Sequence, residues 1–159
     1  MKRKYETEDD VLALVRSFEA ATISRDEWKH PEHLIVALYY VSHFDVETAI
    51  EKMRKGILNL LANGFRVDLA KEMPYHETIT IFWIRSVSAF HNASNGKRLS
   101  DTIAEMVSLF DKEYLLTFYS RELIFSDGAR SEFVEPDLAA LPVTNHTLSC
   151  LDAQATIAG

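Results

Sequence analysis

The sequence predicts an all-α fold, a single-domain helical bundle of about five to seven helices with a loose C-terminal tail. Five glycines and four prolines are few for 159 residues, and most of them lie between periodic segments. Apolar residues recur at helical spacing in those segments, and the loops between them are short. Helices of this kind bury their apolar faces against one another. We place the domain in residues 1–142 and the tail in residues 143–159, where the periodicity fades.

The first three helices have clear start signals in the sequence. Thr7 can cap a helix over about Glu8–Ala21, whose acidic first turn suits the positive end of the helix dipole. Proline favours the first helical position, so a second helix is expected over Pro31–His43. Asp45 can cap a third helix, which should end at the turn signal Asn63-Gly64.

The rest of the chain also predicts helices. Gly56 lies on the apolar stripe of the third helix and indicates the close approach of a neighbour. The later signals predict a helix from Pro74 to about Ala93 and a helix capped by Ser100. They also predict a helical region over Tyr114–Phe125 with a bend near Ser120. A last short helix is expected over Gly128–Val134, with its cap at Ser126-Asp127.

Composition excludes several classes of function. A net charge of −7 argues against a nucleic-acid binder, which would need a basic face. No stretch approaches the roughly 20 apolar residues of a membrane helix, and no signal peptide is visible. The lone cysteine, Cys150, forms no internal disulfide and has no basic neighbour to activate it. We therefore expect a soluble cytoplasmic protein without a nucleic-acid or membrane partner.

Three histidines mark the candidate site. His30 and His33 are three residues apart, which on a helix places their Cβ atoms about 5–6 Å apart on one face. His76 lies at the start of the predicted fourth helix and faces its apolar side. Imidazole is both a strong metal ligand and a proton carrier near neutral pH. The spacing predicts a pocket between the second and fourth helices.

One interpretation of this cluster is an open metal site. His30, His33 and His76 would be three protein ligands of a single divalent ion, with Glu77 as a fourth ligand or a base. Zinc would activate a bound water for hydrolysis, whereas iron held by two histidines and a carboxylate would allow oxygen chemistry. The chain lacks the Glu-x-x-His pairs of di-iron bundles, which argues against a carboxylate-bridged centre.

Other interpretations need no metal. His76 or His33 could act as a general base, with Glu77 orienting the ring. Thr80 lies one turn after His76, and its hydroxyl could bond the ring, a ligand or its own helix. Arg121 and Arg130 could bind an anionic substrate, or each could be a solvated or salt-bridged group. Alternatively, all three histidines could be internal hydrogen-bonding groups of a purely structural network.

The two histidine segments also resemble a known family. Trp28-x-His30-x-x-His33-Leu34 and Tyr75-His76-Glu77-Thr78-x-Thr80-x-x-Trp83 are similar to two blocks of small bacterial all-helical proteins, an aromatic-x-His-x-x-His-Leu block and a Tyr-His-x-Thr-x-Thr-x-x-Trp block. The similarity extends over about residues 10–142. That family is functionally uncharacterised, so the resemblance implies that the two blocks belong together and implies no reaction.

Two hypotheses for the function follow. In the first, the protein is a small-molecule enzyme or ligand-binding protein with a histidine-lined pocket, with Glu77 and Thr80 as catalytic candidates and zinc or iron as the candidate metal. In the second, it is a non-enzymatic helical module that could form a homodimer, and its histidines support the fold.

Overall fold

The computed structural model describes residues 4–94 and 96–141, which form helices and connecting loops without any strand. The α-helices are α1 (Glu8–Glu19), α2 (His30–His43), α3 (Val46–Asn59), α4 (Glu77–Ala93), α5 (Leu99–Leu109), α6 (Arg121–Ile124) and α7 (Asp127–Ser131). A π-helical turn, Leu60–Gly64, prolongs α3, and a 3-10 turn, Lys112–Thr117, follows α5. The all-α prediction is confirmed, and the predicted tail lies outside the described residues. Within these ranges no helix has both the length and the apolar character needed to cross a membrane.

Side-chain caps fix several helix starts where the sequence predicts them. Thr7 Oγ1 accepts a hydrogen bond from Asp10 N at 3.2 Å, and the Asp10 carboxylate accepts one from Thr7 N at 3.0 Å. The Asp45 carboxylate accepts a bond from Thr48 N at 2.7 Å and starts α3. Ser126 caps α7 in the same way. These interactions span three residues or fewer, so local sequence alone determines them.

Two predicted helix starts are wrong. The helix expected from Pro74 begins three residues later, because the His76 side chain accepts a bond from Ile79 N and makes Glu77 the first helical residue. The helix expected after Ser100 begins at Leu99, because Thr102 N donates to the Arg98 carbonyl and Ser100 already lies in the first turn.

The predicted helical region Tyr114–Phe125 is divided into two short pieces. The Asp111 carboxylate accepts a bond from Tyr114 N at 3.0 Å, and Ser120 Oγ accepts one from Leu123 N at 3.2 Å. Each cap starts a new turn, so the chain forms the 3-10 turn and then α6 instead of one bent helix.

Helix α4 lies at the centre of the fold and packs against α2, α3 and α7. Most of its surface is buried, including polar Thr78, Thr80, Ser86 and Ser88. Thr78 Oγ1 donates to the Ala129 carbonyl at 2.6 Å and accepts from Val134 N at 3.2 Å. These bonds attach the segment around α7 to α4.

A buried carboxylate secures the start of α2. Glu32, which is 4% exposed, accepts hydrogen bonds from Lys29 N at 3.2 Å and from the Tyr5 hydroxyl at 2.8 Å. Lys4 Nζ lies 3.4 Å from the same carboxylate. Burial and the bond to Glu32 raise the pKa of Tyr5 above its usual value. As the helical spacing predicts, Glu32 turns away from the two histidines of this helix, but its burial beneath Tyr5 has no sequence signature.

Gly56 permits the close approach that the sequence predicts. A Cβ atom at Gly56 would overlap the ring of Phe18, which is fully buried. Phe18 in turn stacks on Trp28, with ring centroids 4.7 Å apart. Gly56 therefore sets the position of an aromatic pair between α1 and α2.

We expect Gly56→Ala to lower the free energy of unfolding by about 1–2 kcal/mol, because displacement of the Phe18 ring outweighs the gain in helix propensity. Urea unfolding measures this difference. Gly128→Ala is the matched control, since a Cβ there meets nothing within 4 Å, and we expect a change within about 0.5 kcal/mol. Equal stabilities of the two variants would contradict the packing described for Gly56.

Candidate functional site

His30 is the first residue of α2 and is hydrogen-bonded across the fold. Its Nε2–H donates to the Phe110 carbonyl at 2.7 Å, which joins the start of α2 to the end of α5. The ring meets the Trp83 indole edge-on, with centroids 4.9 Å apart. His30 therefore has a structural bond on one nitrogen and an aromatic neighbour from α4.

His33 lies one turn further along α2 and has a different environment. Its ring packs on Trp28, with centroids 4.4 Å apart, and no bond within the described ranges uses either ring nitrogen. Burial lowers the pKa of His33 to about 4, and the nearby His30 contributes to the decrease. At neutral pH His33 is therefore an uncharged imidazole with one donor and one acceptor.

His76 caps α4 with one ring nitrogen and binds a distant backbone carbonyl with the other. Nδ1 accepts from Ile79 N at 3.2 Å, and Nε2 donates to the Ile124 carbonyl at 2.6 Å. This pattern requires the neutral tautomer with its proton on Nε2. Burial lowers the pKa of His76, and Arg130 also disfavours its protonation, although the bond to Ile124 acts in the opposite direction.

A small cavity of about 120 Å³ lies between α2, α3 and α4. Its polar lining comes from His30, His33 and Thr80, and its apolar lining comes from Ala37, Met53, Ile79, Trp83 and Ile84. Thr80 Oγ1 donates to the His76 carbonyl at 3.0 Å, as the backbone-bonding alternative expects, and its lone pairs can still accept a bond. His30, His33 and Thr80 thus line one cavity with the helical faces predicted for them. His76 does not line it.

Solvent can reach the ring nitrogens of His33. In the described part of the chain, Ser86 Oγ is the one side-chain polar atom that is both sealed from solvent and without a hydrogen bond. The His33 nitrogens have no described partner either, so they must retain access to solvent. His33 also lines the cavity between α2, α3 and α4.

Glu77 forms an ion pair with α3. The Nε of Arg54 lies 3.0 and 3.1 Å from the two Glu77 carboxylate oxygens, and the Tyr75 hydroxyl donates to this carboxylate at 2.8 Å. The bond to Glu77 raises the pKa of Arg54. Burial is the main cause that raises the pKa of Tyr75, to about 12. The carboxylate is therefore bonded to Arg54 and Tyr75 and does not orient the His76 ring.

The three predicted ligands do not form a metal-binding set in this structure. Over residues 4–94 and 96–141, no group of three or more histidine, cysteine, aspartate or glutamate side chains is arranged to hold a metal ion. His76 would have to release Ile79 N or the Ile124 carbonyl before either ring nitrogen could bind one.

The carbonyl partners of His30 and His76 were not predicted from the sequence. The Phe110 and Ile124 carbonyls belong to distant parts of the chain, and a backbone carbonyl has no residue signature. The packing of His33 on Trp28 was not predicted either, although an aromatic residue five positions before a histidine at a helix start is a detectable signal.

No family model matches this chain, and neither the curated proteins nor the solved structures provide a match. The resemblance of the two histidine blocks to small bacterial helical proteins stays a prediction. The chemistry of the site is therefore inferred from its geometry.

We expect stability to decrease in mild acid because of His33. Its pKa is about 4 when folded and near 6.5 when unfolded, so both states are neutral above pH 6.5. Between pH 6.5 and 4 the unfolded chain takes up a proton that the folded protein does not. The free energy of unfolding should fall by up to about 3 kcal/mol over this range.

Chemical unfolding at several pH values measures this effect. His33→Gln should flatten the decrease, whereas His43→Gln, at an exposed position of the same helix, should leave it unchanged. Parallel pH profiles for wild type and His33→Gln would show that the His33 ring titrates normally and is not desolvated.

We expect His76→Asn to keep the bond from Ile79 N and to lose the bond to the Ile124 carbonyl. Asparagine is a good N-cap and can accept from Ile79 N, but its shorter side chain does not reach the Ile124 carbonyl. His76→Asn should cost about 1–2 kcal/mol and His76→Ala about 1–2 kcal/mol more. Thermal unfolding would measure both, and identical melting temperatures for the two variants would argue against a capping role.

Proposed function

We propose that this protein binds a small molecule, an uncharged part of which occupies the cavity lined by His33, His30 and Thr80. The observation that carries the proposal is the neutral His33 ring, which lines a mostly apolar cavity and whose nitrogens have no described partner. Ligand sites are typically apolar concavities with a few converging polar groups. This cavity has that composition, and we place the activity in the cytoplasm.

The size of the cavity limits what it can hold. About 120 Å³ is close to the roughly 150 Å³ of an apolar protein cavity that accommodates benzene. A single ring or a short aliphatic group with one hydroxyl fits this space and its lining. The hydroxyl would donate to His33 or Thr80, and the apolar part would contact Trp83 and Met53.

The charge state of His33 favours binding over base catalysis. An efficient general base has a pKa near the working pH, whereas the pKa of His33 is about 4. Its neutral ring suits hydrogen bonding to a ligand. In this proposal Thr80 contributes a second polar contact, and Glu77 holds Arg54 and Tyr75 beside the site. A zinc or iron site remains a separate hypothesis, which would require His76 to leave its cap.

A second candidate is a non-enzymatic helical module with structural histidines. The observation that favours it is that His30 and His76 both donate to backbone carbonyls, of Phe110 and Ile124 respectively. In that case replacing either histidine would lower stability and change nothing else, and the cavity would hold only water. A homodimer would be compatible with this function.

We expect phenol to bind in the cavity with a dissociation constant of roughly millimolar, as its few atoms allow. Two-dimensional NMR titration would detect shifts at residues of α2 and α4. Toluene, which lacks the hydroxyl, should bind about tenfold more weakly because the His33 and Thr80 groups stay unpaired with a ligand.

Ala37→Leu should abolish phenol binding, because the added atoms occupy the cavity that Ala37 lines. Ala13→Leu, on the exposed face of α1, is the matched control and should bind like the wild type. Phenol binding that is unaffected by Ala37→Leu, or no titratable shift at all, would refute the proposed function and favour the structural alternative.

A further inference from the structure

An open groove of about 330 Å³ adjoins the cavity. The two spaces have a common wall, since His30, Ile79 and Trp83 line both of them. The other side of the groove comes from the 3-10 turn and from the segment around α6. A molecule longer than one ring could occupy both spaces only by passing between these three side chains.

The groove is more basic than the protein as a whole. Lys112 and Arg121 line it with one acidic residue, Glu113, whereas the whole chain has a net charge of −7. Arg121 lies 4.0 Å from Glu113, and both side chains are more than two-thirds exposed. Such a pair is weak, so Arg121 can exchange Glu113 for a ligand anion. Lys112 has no ion pair with any residue of the described ranges.

Apolar surface connects these charges to the cavity. The Phe125 side chain lines the groove and is 57% exposed, which is unusual for an aromatic residue beside a packed core. Leu116, Ile79 and Trp83 also line the groove. The groove therefore has two basic side chains, Lys112 and Arg121, beside an apolar surface, and the adjoining cavity contains the uncharged His33 ring.

We infer that the natural ligand is a small amphipathic monocarboxylate. Its carboxylate would bind Lys112 and Arg121, its apolar body would lie along Phe125 and Trp83, and its far end would enter the cavity at His33. This inference rests on the proposed function, because it assigns the cavity to one end of the same ligand. The orientation of the ligand follows from charge complementarity, since a carboxylate is stabilised beside Lys112 and Arg121 and disfavoured beside the partly buried, uncharged His33 ring.

The test uses three related probes: 3-(4-hydroxyphenyl)propionate, its carboxamide and 3-phenylpropionate. The carboxamide removes the charge and keeps the shape, whereas 3-phenylpropionate removes the hydroxyl and keeps the charge. Affinities measured by NMR titration should be about threefold to tenfold lower for the carboxamide and for 3-phenylpropionate than for the parent acid. His33 and Phe125 resonances should shift together.

Substitutions at the two basic residues test whether they bind the carboxylate. Lys112→Gln and Arg121→Gln should each weaken the acid about threefold to tenfold and leave the carboxamide unchanged. Lys71→Gln and Arg16→Gln remove equal charges at exposed positions that do not line the groove, and both should bind the acid normally. Higher salt should weaken the acid and not the carboxamide.

The outcomes separate this inference from the proposed function. If the carboxamide binds as tightly as the acid, and Ala37→Leu still prevents binding, the cavity function stands and the anionic ligand class is overturned. If Ala37→Leu leaves the acid bound while the groove variants weaken it, the groove binds anions independently and the cavity proposal fails. Absence of binding by all three probes overturns this inference, whereas the phenol titration decides the cavity function.

Discussion

The start of α4 is the constraint on which the rest of the structure depends. A buried helix start exposes backbone N–H groups that must find partners, and water is scarce there. The His76 ring meets one of these needs by accepting from Ile79 N, and it binds the Ile124 carbonyl with its other nitrogen. Because α4 packs against α2, α3 and α7, this ring fixes the rotation and depth at which Thr80 and Trp83 face their neighbours.

The three histidines differ in role because their surroundings differ. His76 is fully bonded to backbone, and His30 is bonded on one nitrogen to the Phe110 carbonyl. His33 has an aromatic neighbour and a cavity but no described hydrogen bond. A polar group that is desolvated without a protein partner is costly unless water or a ligand completes it. Of the three, only His33 has both ring nitrogens without a bond in the described residues, although all three residues look equivalent in the sequence.

Local interactions explain what could be predicted from the sequence. The caps at Thr7 and Asp45 involve neighbouring residues, and Gly56 signals close packing whatever its partner. Helical spacing was also sufficient to place His30, His33 and Thr80 on a common space. It failed for His76, since a helical wheel assumes a residue inside the helix and His76 precedes it. The carbonyl partners depend on tertiary packing, which no single segment encodes.

The N-terminal residues are coupled to the candidate site through the start of α2. Tyr5 donates to the buried Glu32 carboxylate, which also accepts from Lys29 N, and the two histidines of the cavity lie on the same first turn of this helix. A tag or fusion joined directly before Tyr5 would disturb this bond and with it the position of the helix that carries His33. Differences between tagged and untagged protein would then reflect altered architecture of the site as well as any affinity of the tag itself.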